Sequence, residues 1–213
     1  MFIELVDSLR CPRPHEESWL VASAVRTEGR DILEGTLGCP ICHAEYPIRG
    51  GTVWFDSIEP PSPGSPPERD AELAMRLAAF LDLSEPRGFG VFAGRYGPLA
   101  ELLREIVPPP LIALNPVPLV ATANGVSTLV IAAGIPLADA TCRGVALDAG
   151  HADDAYLDAA ARVLQPRGRL VAPAATPTPD GVSEIARDER IWVAERTAAS
   201  PKLVSLRGRG DRT

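Results

Sequence analysis

Gly38-Cys39-Pro40-Ile41-Cys42-His43-Ala44-Glu45-Tyr46-Pro47-Ile48 is the stretch on which the fold turns. A Cys-Pro-x-Cys turn places two thiolates on one tight loop with neighbouring amides pointing at the sulfurs, which is half of a tetrahedral zinc site. Upstream, Leu9-Arg10-Cys11-Pro12-Arg13-Pro14-His15 offers Cys11 and His15 as the other half. If Cys11, His15, Cys39 and Cys42 meet, residues 1–58 form a small zinc-ribbon β domain. Four protein ligands leave no position open for a substrate, so the zinc is expected to be structural. Around the knuckle, residues 3–9 suit a short helix. Residues 19–27 and 32–37 read as strands about the turn Glu28-Gly29-Arg30-Asp31, and residues 44–48 and 52–55 as a second hairpin about Gly50-Gly51. A module this small buries little apolar surface, and metal ligation offsets that deficit.

Glu59-Pro60-Pro61-Ser62-Pro63-Gly64-Ser65-Pro66-Pro67 cannot continue a helix or a sheet and marks a spacer over residues 59–67. Beyond it the pattern alternates. Ser65, Pro66 and Glu68 suit a capped helix start, and Leu73, Leu77 and Leu81 share one helical face. Residues 88–93 are an apolar strand, followed by the turn Gly94-Arg95-Tyr96-Gly97. Leu99, Leu102, Leu103 and Ile106 recur at helical spacing until Pro108-Pro109-Pro110. Strands are expected at 111–114, 127–132, 144–147 and 169–172. A helix capped by Asp153 or Asp154 carries Tyr156, Ala160, Val163 and Leu164 inward. A short helix over 182–188 and a last strand pair, 191–197 with 203–207, complete the reading. Apolar strands alternating with amphipathic helices imply an α/β fold with a mostly parallel, Rossmann-like sheet over residues 68–207. Ligands in such sheets sit beyond the carboxyl ends of the strands, where strand order reverses. Residues 208–213 are a basic tail.

The formal net charge is −7, and Lys202 is the only lysine among 213 residues. Clustered cations for gripping phosphates are missing, so direct nucleic-acid contact is not expected. No segment is apolar for long enough to span a bilayer, and the acidic start does not read as an export signal. The cytoplasm is the expected compartment, where cysteines serve as metal ligands or free thiols more often than as disulfides. Cys142 reads as a small core residue.

The N-terminal motifs resemble the zinc-ribbon methyltransferase-activator family, the small partner subunits of tRNA, rRNA and release-factor methyltransferases. The resemblance rests on Leu9-Arg10-Cys11-Pro12, on Gly38-Cys39-Pro40-Ile41-Cys42 and on Glu45-Tyr46-Pro47-Ile48-Arg49-Gly50-Gly51. It departs at Pro14, where that family has a second cysteine; His15 stands one residue on, with His43 as the reserve ligand. The downstream half resembles class I S-adenosylmethionine-dependent methyltransferases. Ala160-Ala161-Arg162-Val163-Leu164-Gln165-Pro166-Arg167-Gly168-Arg169-Leu170-Val171 is similar to that family's helix-turn-strand after the fourth strand. Gly134-Ile135-Pro136-Leu137-Ala138-Asp139-Ala140 is similar to the segment leading into that strand. The pair 192–196 and 202–207 is similar to its last two strands, with the last antiparallel.

These resemblances imply S-adenosylmethionine as cofactor, with Gly94 and Gly97 in the cofactor loop and Asn115 at the ribose. The departures fall there too. The loop has no acid, Asn115 replaces the ribose-binding carboxylate, and Ala132-Ala133 replaces the acid near the adenine. Asp148 and His151 follow the fourth strand, where Asp148 would orient a methyl acceptor and His151 take its proton. For Gly94 and Gly97 the plain alternative is a strand-to-helix turn, for Asn115 an Asn-Pro turn, and for Asp148 and His151 a polar loop feeding the helix cap. Two functions follow. The first is a non-catalytic or weakly active methyltransferase-like protein acting as scaffold or regulator of a protein partner, itself a methyltransferase or translation-related. The second is an active methyltransferase stabilised by its own fused ribbon.

Overall fold

A computed structural model describes residues 1–56, 70–120 and 125–197 of the chain. The spacer over 59–67, the cap at Ser65, Pro66 and Glu68, the strand expected at 203–207 and the basic tail lie outside the described residues. The N-terminal part is built as its turns require. Strands β1 (Val21–Glu28) and β2 (Asp31–Gly38) pair antiparallel about Gly29, whose φ of +58° suits the tight turn. Strands β3 (Glu45–Arg49) and β4 (Thr52–Trp54) pair about Gly50 and Gly51, both at positive φ. A 3-10 turn over Ile3–Ser8 lowers Leu5, with Leu9 beyond it, onto Ile32, Leu37 and Ile48.

The remaining strands are β5 (Phe89–Ala93), β6 (Leu111–Leu114), β7 (Val126–Val130), β8 (Cys142–Ala146), β9 (Leu164–Pro173), β10 (Val182–Arg187) and β11 (Ile191–Arg196). All join one 11-stranded sheet in the order β1-β2-β3-β4-β7-β6-β5-β8-β9-β11-β10. From β4 to β9 every neighbouring pair is parallel; the pairs at both flanks are antiparallel. Every residue of β6 and β7 is buried, as strands covered on both faces must be. One core layer joins Leu37, Tyr46 and Val53 to Leu114, Leu129 and Leu137. Helices α1 (Ala71–Phe80) and α2 (Ala100–Leu103) cover the opposite face. Helix α3 (Asp154–Val163) packs Tyr156, Leu157 and Ala160 into the first layer, and its Asp153 cap accepts from Tyr156 N.

The N-terminal hairpins reach the rest of the chain through backbone pairing. Strand β4 runs parallel to β7 with Val53 opposite Leu129, and Phe55 N donates to the Val130 carbonyl at 2.8 Å. Strand order reverses at β5, which has β6 on one side and β8 on the other. The crevice beyond Ala93 and Ala146 is therefore the place for a ligand.

Three elements differ from the sequence reading. Residues 182–188 are not a helix but edge strand β10. Asp188 Oδ1 accepts from Arg190 N and Ile191 N and so folds the chain back antiparallel onto β11. Among the described residues the closing strand pair is thus β10 with β11. The helix over Leu99–Ile106 shrinks to the single turn of α2, because Ile106 N and Val107 N both return to the Leu103 carbonyl and leave Ile106 57% exposed. Strand β9 starts at Leu164 and takes in the Gln165–Gly168 segment read as a turn.

Close packing gives one testable consequence. Gly144 on β8 lies under the end of α1, where a Cβ would sit 2.7 Å from Leu81 Cβ. Gly144→Ala is expected to cost about 1–3 kcal/mol through overpacking. A lower urea midpoint with unchanged denaturant slope checks it.

Candidate metal centre and ligand cleft

The knuckle forms because His43 adopts a left-handed conformation, φ +55°, and so closes the turn: Cys39 N donates to Ala44 O at 2.9 Å and His43 N to Cys39 O at 3.0 Å. The upstream ligands are carried by a segment tied to both halves of the chain. Arg10 N donates to Pro136 O, Ala138 N to Ser8 O and Cys11 N to Ser18 O. These contacts bring Cys11, His15, Cys39 and Cys42 together with all ligand atoms within 4.8 Å of one another, and the four could hold a metal ion. Cys11 Sγ lies 3.7 Å from Cys42 Sγ, and Cys39 Sγ lies 3.5 Å from His15 Nε2. A tetrahedron with metal–sulfur bonds of about 2.3 Å and a metal–nitrogen bond of about 2.0 Å has edges of about 3.8 and 3.5 Å, so the donor set fits. His15 Nδ1 sits 2.5 Å from the Glu16 carbonyl, which leaves Nε2 free to ligate. Burial pushes the Cys39 thiol up, but the Cys42 and Ile41 amides and the neighbouring thiols outweigh it and bring its pKa down to about 6. His43 is exposed and stands outside the four. Cys142 is fully buried within β8.

The ligand cleft has the opposite character: its polar groups already hold one another. Gly94 takes φ +57° directly after β5, and a Cβ there would lie 2.4 Å from Asp148 Oδ2. The Asp148 carboxylate thus sits in the concavity that the glycine leaves. It accepts from Arg95 N at 3.0 Å through Oδ2, while Oδ1 lies 2.7 Å from His151 Nδ1. Burial would push Asp148 up, but His151 and the Arg95 amide outweigh it and hold the carboxyl below its ordinary value. Gly97 serves close packing, since a Cβ there would lie 2.6 Å from Pro116 Cβ. Asn115 Nδ2 donates to Ile131 O at 2.8 Å and to the Tyr156 hydroxyl at 3.0 Å, and Oδ1 accepts from Ile131 N at 2.8 Å. Its amide is committed to tying the end of β6 to the end of β7. Beside these groups lies a cavity of about 350 Å³ lined by Asn115, Val117, Leu119, Ile131, His151 and Tyr156.

The structure brings Asp148 and His151 into contact with each other and places Asp148 beside Gly94. Asn115 faces the neighbouring cavity, and Gly97 belongs to the packing beneath. Tyr96 is buried in the second core layer and Arg95 is exposed; the group packed against Gly94 is the Asp148 carboxylate. Sequence reasoning missed Asp56, whose Oδ2 accepts from Ala132 N at 2.7 Å. It also read Tyr156 as core alone, without its hydroxyl contacts. Asp56 carries no local signal, because its partner is 76 positions away.

The Asp148 network should carry stability. Asp148→Asn removes the charge from two hydrogen bonds and is expected to cost about 1–3 kcal/mol at neutral pH. A carboxyl held below its ordinary pKa of 3.8 gives its full stabilisation above that value and loses it as pH falls through the lower folded value. The gap between wild type and variant should therefore close in acid, as read from denaturation midpoints across pH.

No protein-family model matches the chain, and no curated protein does. Among solved structures, the chain is similar to the antibiotic-resistance methyltransferase Kmr, with 15% identity and a TM-score of 0.41 over 59% of this chain and 93% of that one. At that distance neither an activity nor a ligand carries over. No helix among the described residues is long and apolar enough to cross a membrane.

Proposed function

We propose that this protein is a methyltransferase-type fold stabilised by its own structural zinc ribbon, with a cofactor cleft occupied by its own side chains. It acts as a scaffold or regulator of a protein partner, a methyltransferase or a translation-related protein. The observation that carries this reading is the Asp148 carboxylate lodged against Gly94 and the Arg95 amide. That amide is the group a bound amino-acid carboxylate would need, and it already has an anionic partner. The Asn115 amide, the remaining candidate for ribose, is engaged on both sides.

Zinc is the assignment the ligand chemistry supports best: three sulfurs and one imidazole at tetrahedral spacing, closed to substrate. Zinc would there fix a fold and supply no chemistry. The ribbon's strand β4 is joined to β7 of the same chain, which supports a role in holding its own sheet together.

One observation favours a second reading, an active methyltransferase. The Asp148–His151 pair stands beside the 350 Å³ cavity, and Asp148 could orient His151 as a base there. Calorimetric titration of metal-loaded protein with S-adenosylmethionine and S-adenosylhomocysteine separates the two. The scaffold reading expects no saturable heat, and one-to-one micromolar binding overturns it.

A further inference from the structure

The hydroxyl of Tyr46 lies 3.1 Å from Cys11 Sγ. We propose that Tyr46 is a positioning residue of the metal centre, donating this hydrogen bond to the Cys11 thiolate and holding it as a ligand. The inference rests on the metal reading above and extends it to a residue outside the ligand set. A metal-bound thiolate has no proton, so the phenol O–H must be the donor in this pair.

The centre needs such donors. Three thiolates and a neutral imidazole around a divalent ion leave one excess negative charge, and a partly buried anion is costly without hydrogen bonds. The thiolates draw their donors from different places. Cys39 sits on the knuckle, where the Cys42 and Ile41 amides reach its sulfur. Cys11 comes from the opposite segment and has the Arg13 amide and the Tyr46 hydroxyl.

Tyr46 is also fixed independently of the metal. It is 3% exposed, pairs with Leu37 in the β2–β3 ladder and packs its ring on Phe55 at 5.0 Å between centroids. Phe55 N is in turn bonded to Val130 of β7. The donor is therefore held by the sheet before a metal arrives and aims at the one thiolate that the knuckle does not carry. Contacts run without a break from Cys11 through Tyr46 and Phe55 to the parallel strands.

The test uses the full chain. Zinc affinity is measured by competition with a chromophoric chelator, and cobalt(II) replaces zinc for spectroscopy. Tyr46→Phe keeps the ring and is expected to weaken zinc binding about 10- to 100-fold. The sulfur-to-cobalt charge-transfer band should move to lower energy, because a sulfur without its donor gives up electron density more easily. Protein grown on 3-fluorotyrosine carries a more acidic phenol at Tyr46 and should move the band the other way, whether or not the Phe variant folds. Tyr96→Phe, on the opposite core layer, should change neither readout. Unchanged affinity and an unchanged band in Tyr46→Phe, or no shift with fluorotyrosine, overturn the proposal while the metal site stands. Wild-type protein that takes up neither zinc nor cobalt overturns the metal reading itself, and the proposal with it.

Discussion

Cys39→Ser is expected to abolish stoichiometric metal binding and to lower the stability of the whole chain. Cys39 directly follows β2, is buried, and is the ligand whose sulfur the knuckle amides address. Structural zinc sites contribute folding free energy directly, because the unfolded chain holds no preformed site. The loss should reach about 5 kcal/mol or more, which for a chain of this size lowers the thermal midpoint by about 10–20 °C. The consequence should not stay local. Residues around the centre share a core layer with Leu114, Leu129 and Leu137, and β4 is paired to β7. The melting curve should therefore shift as one transition, and a strong chelator should reproduce the shift in wild type. Metal analysis with calorimetric melting reads both effects. A fully metal-loaded Cys39→Ser protein with an unchanged midpoint contradicts the account.

The second large effect is a binding that fails. For S-adenosylmethionine to seat at the crevice, its amino-acid end must displace Asp148 from the Arg95 amide and from His151. Hydrogen bonds to a charged group contribute about 1.5–3 kcal/mol each, so the displacement costs about 3–6 kcal/mol. Asn115 cannot turn to a ribose without taking the acceptor from Ile131 N and one of the two donors from Ile131 O. Each 1.4 kcal/mol is tenfold in affinity, so binding should be about 10²- to 10⁴-fold weaker than in an open cleft. Titration to about 0.05 mM ligand should leave the site mostly empty, because a micromolar site weakened that far has a Kd of about 0.1–10 mM. Asp148→Asn alone should not restore binding, because Asn115 remains engaged.

The sequence was legible where the determinants are local. The Cys39-Pro40-Ile41-Cys42 knuckle, the Gly29 and Gly50-Gly51 turns and the short apolar runs 89–93 and 111–114 each announce their element within a few residues. The ligand set followed from cysteine and histidine spacing, and His15 meets the three sulfurs. The reading failed where strand pairing overrode a locally ambiguous pattern. Val182 and Ile185 have helical spacing, yet β11 lies within reach of a three-residue turn anchored by Asp188, and the sheet's edge decides. The cleft was half visible. Lost carboxylates can be read from single positions. That Asp148 would turn into the space beside Gly94 depends on the parallel register of β5 and β8, which brings together residues 54 positions apart. The same holds for Tyr46 and Cys11, which only the folded chain makes neighbours.

On the proposed reading, Asp148 holds the cofactor's place at Gly94 and the Arg95 amide. A crystal structure of the metal-loaded protein grown in excess S-adenosylhomocysteine tests it most directly. Asp148 is expected on the Arg95 amide, with Asn115 bridging to Ile131 and no nucleoside at Gly94. A nucleoside seated there, with Asp148 swung out and the Arg95 amide turned to the ligand, would contradict it.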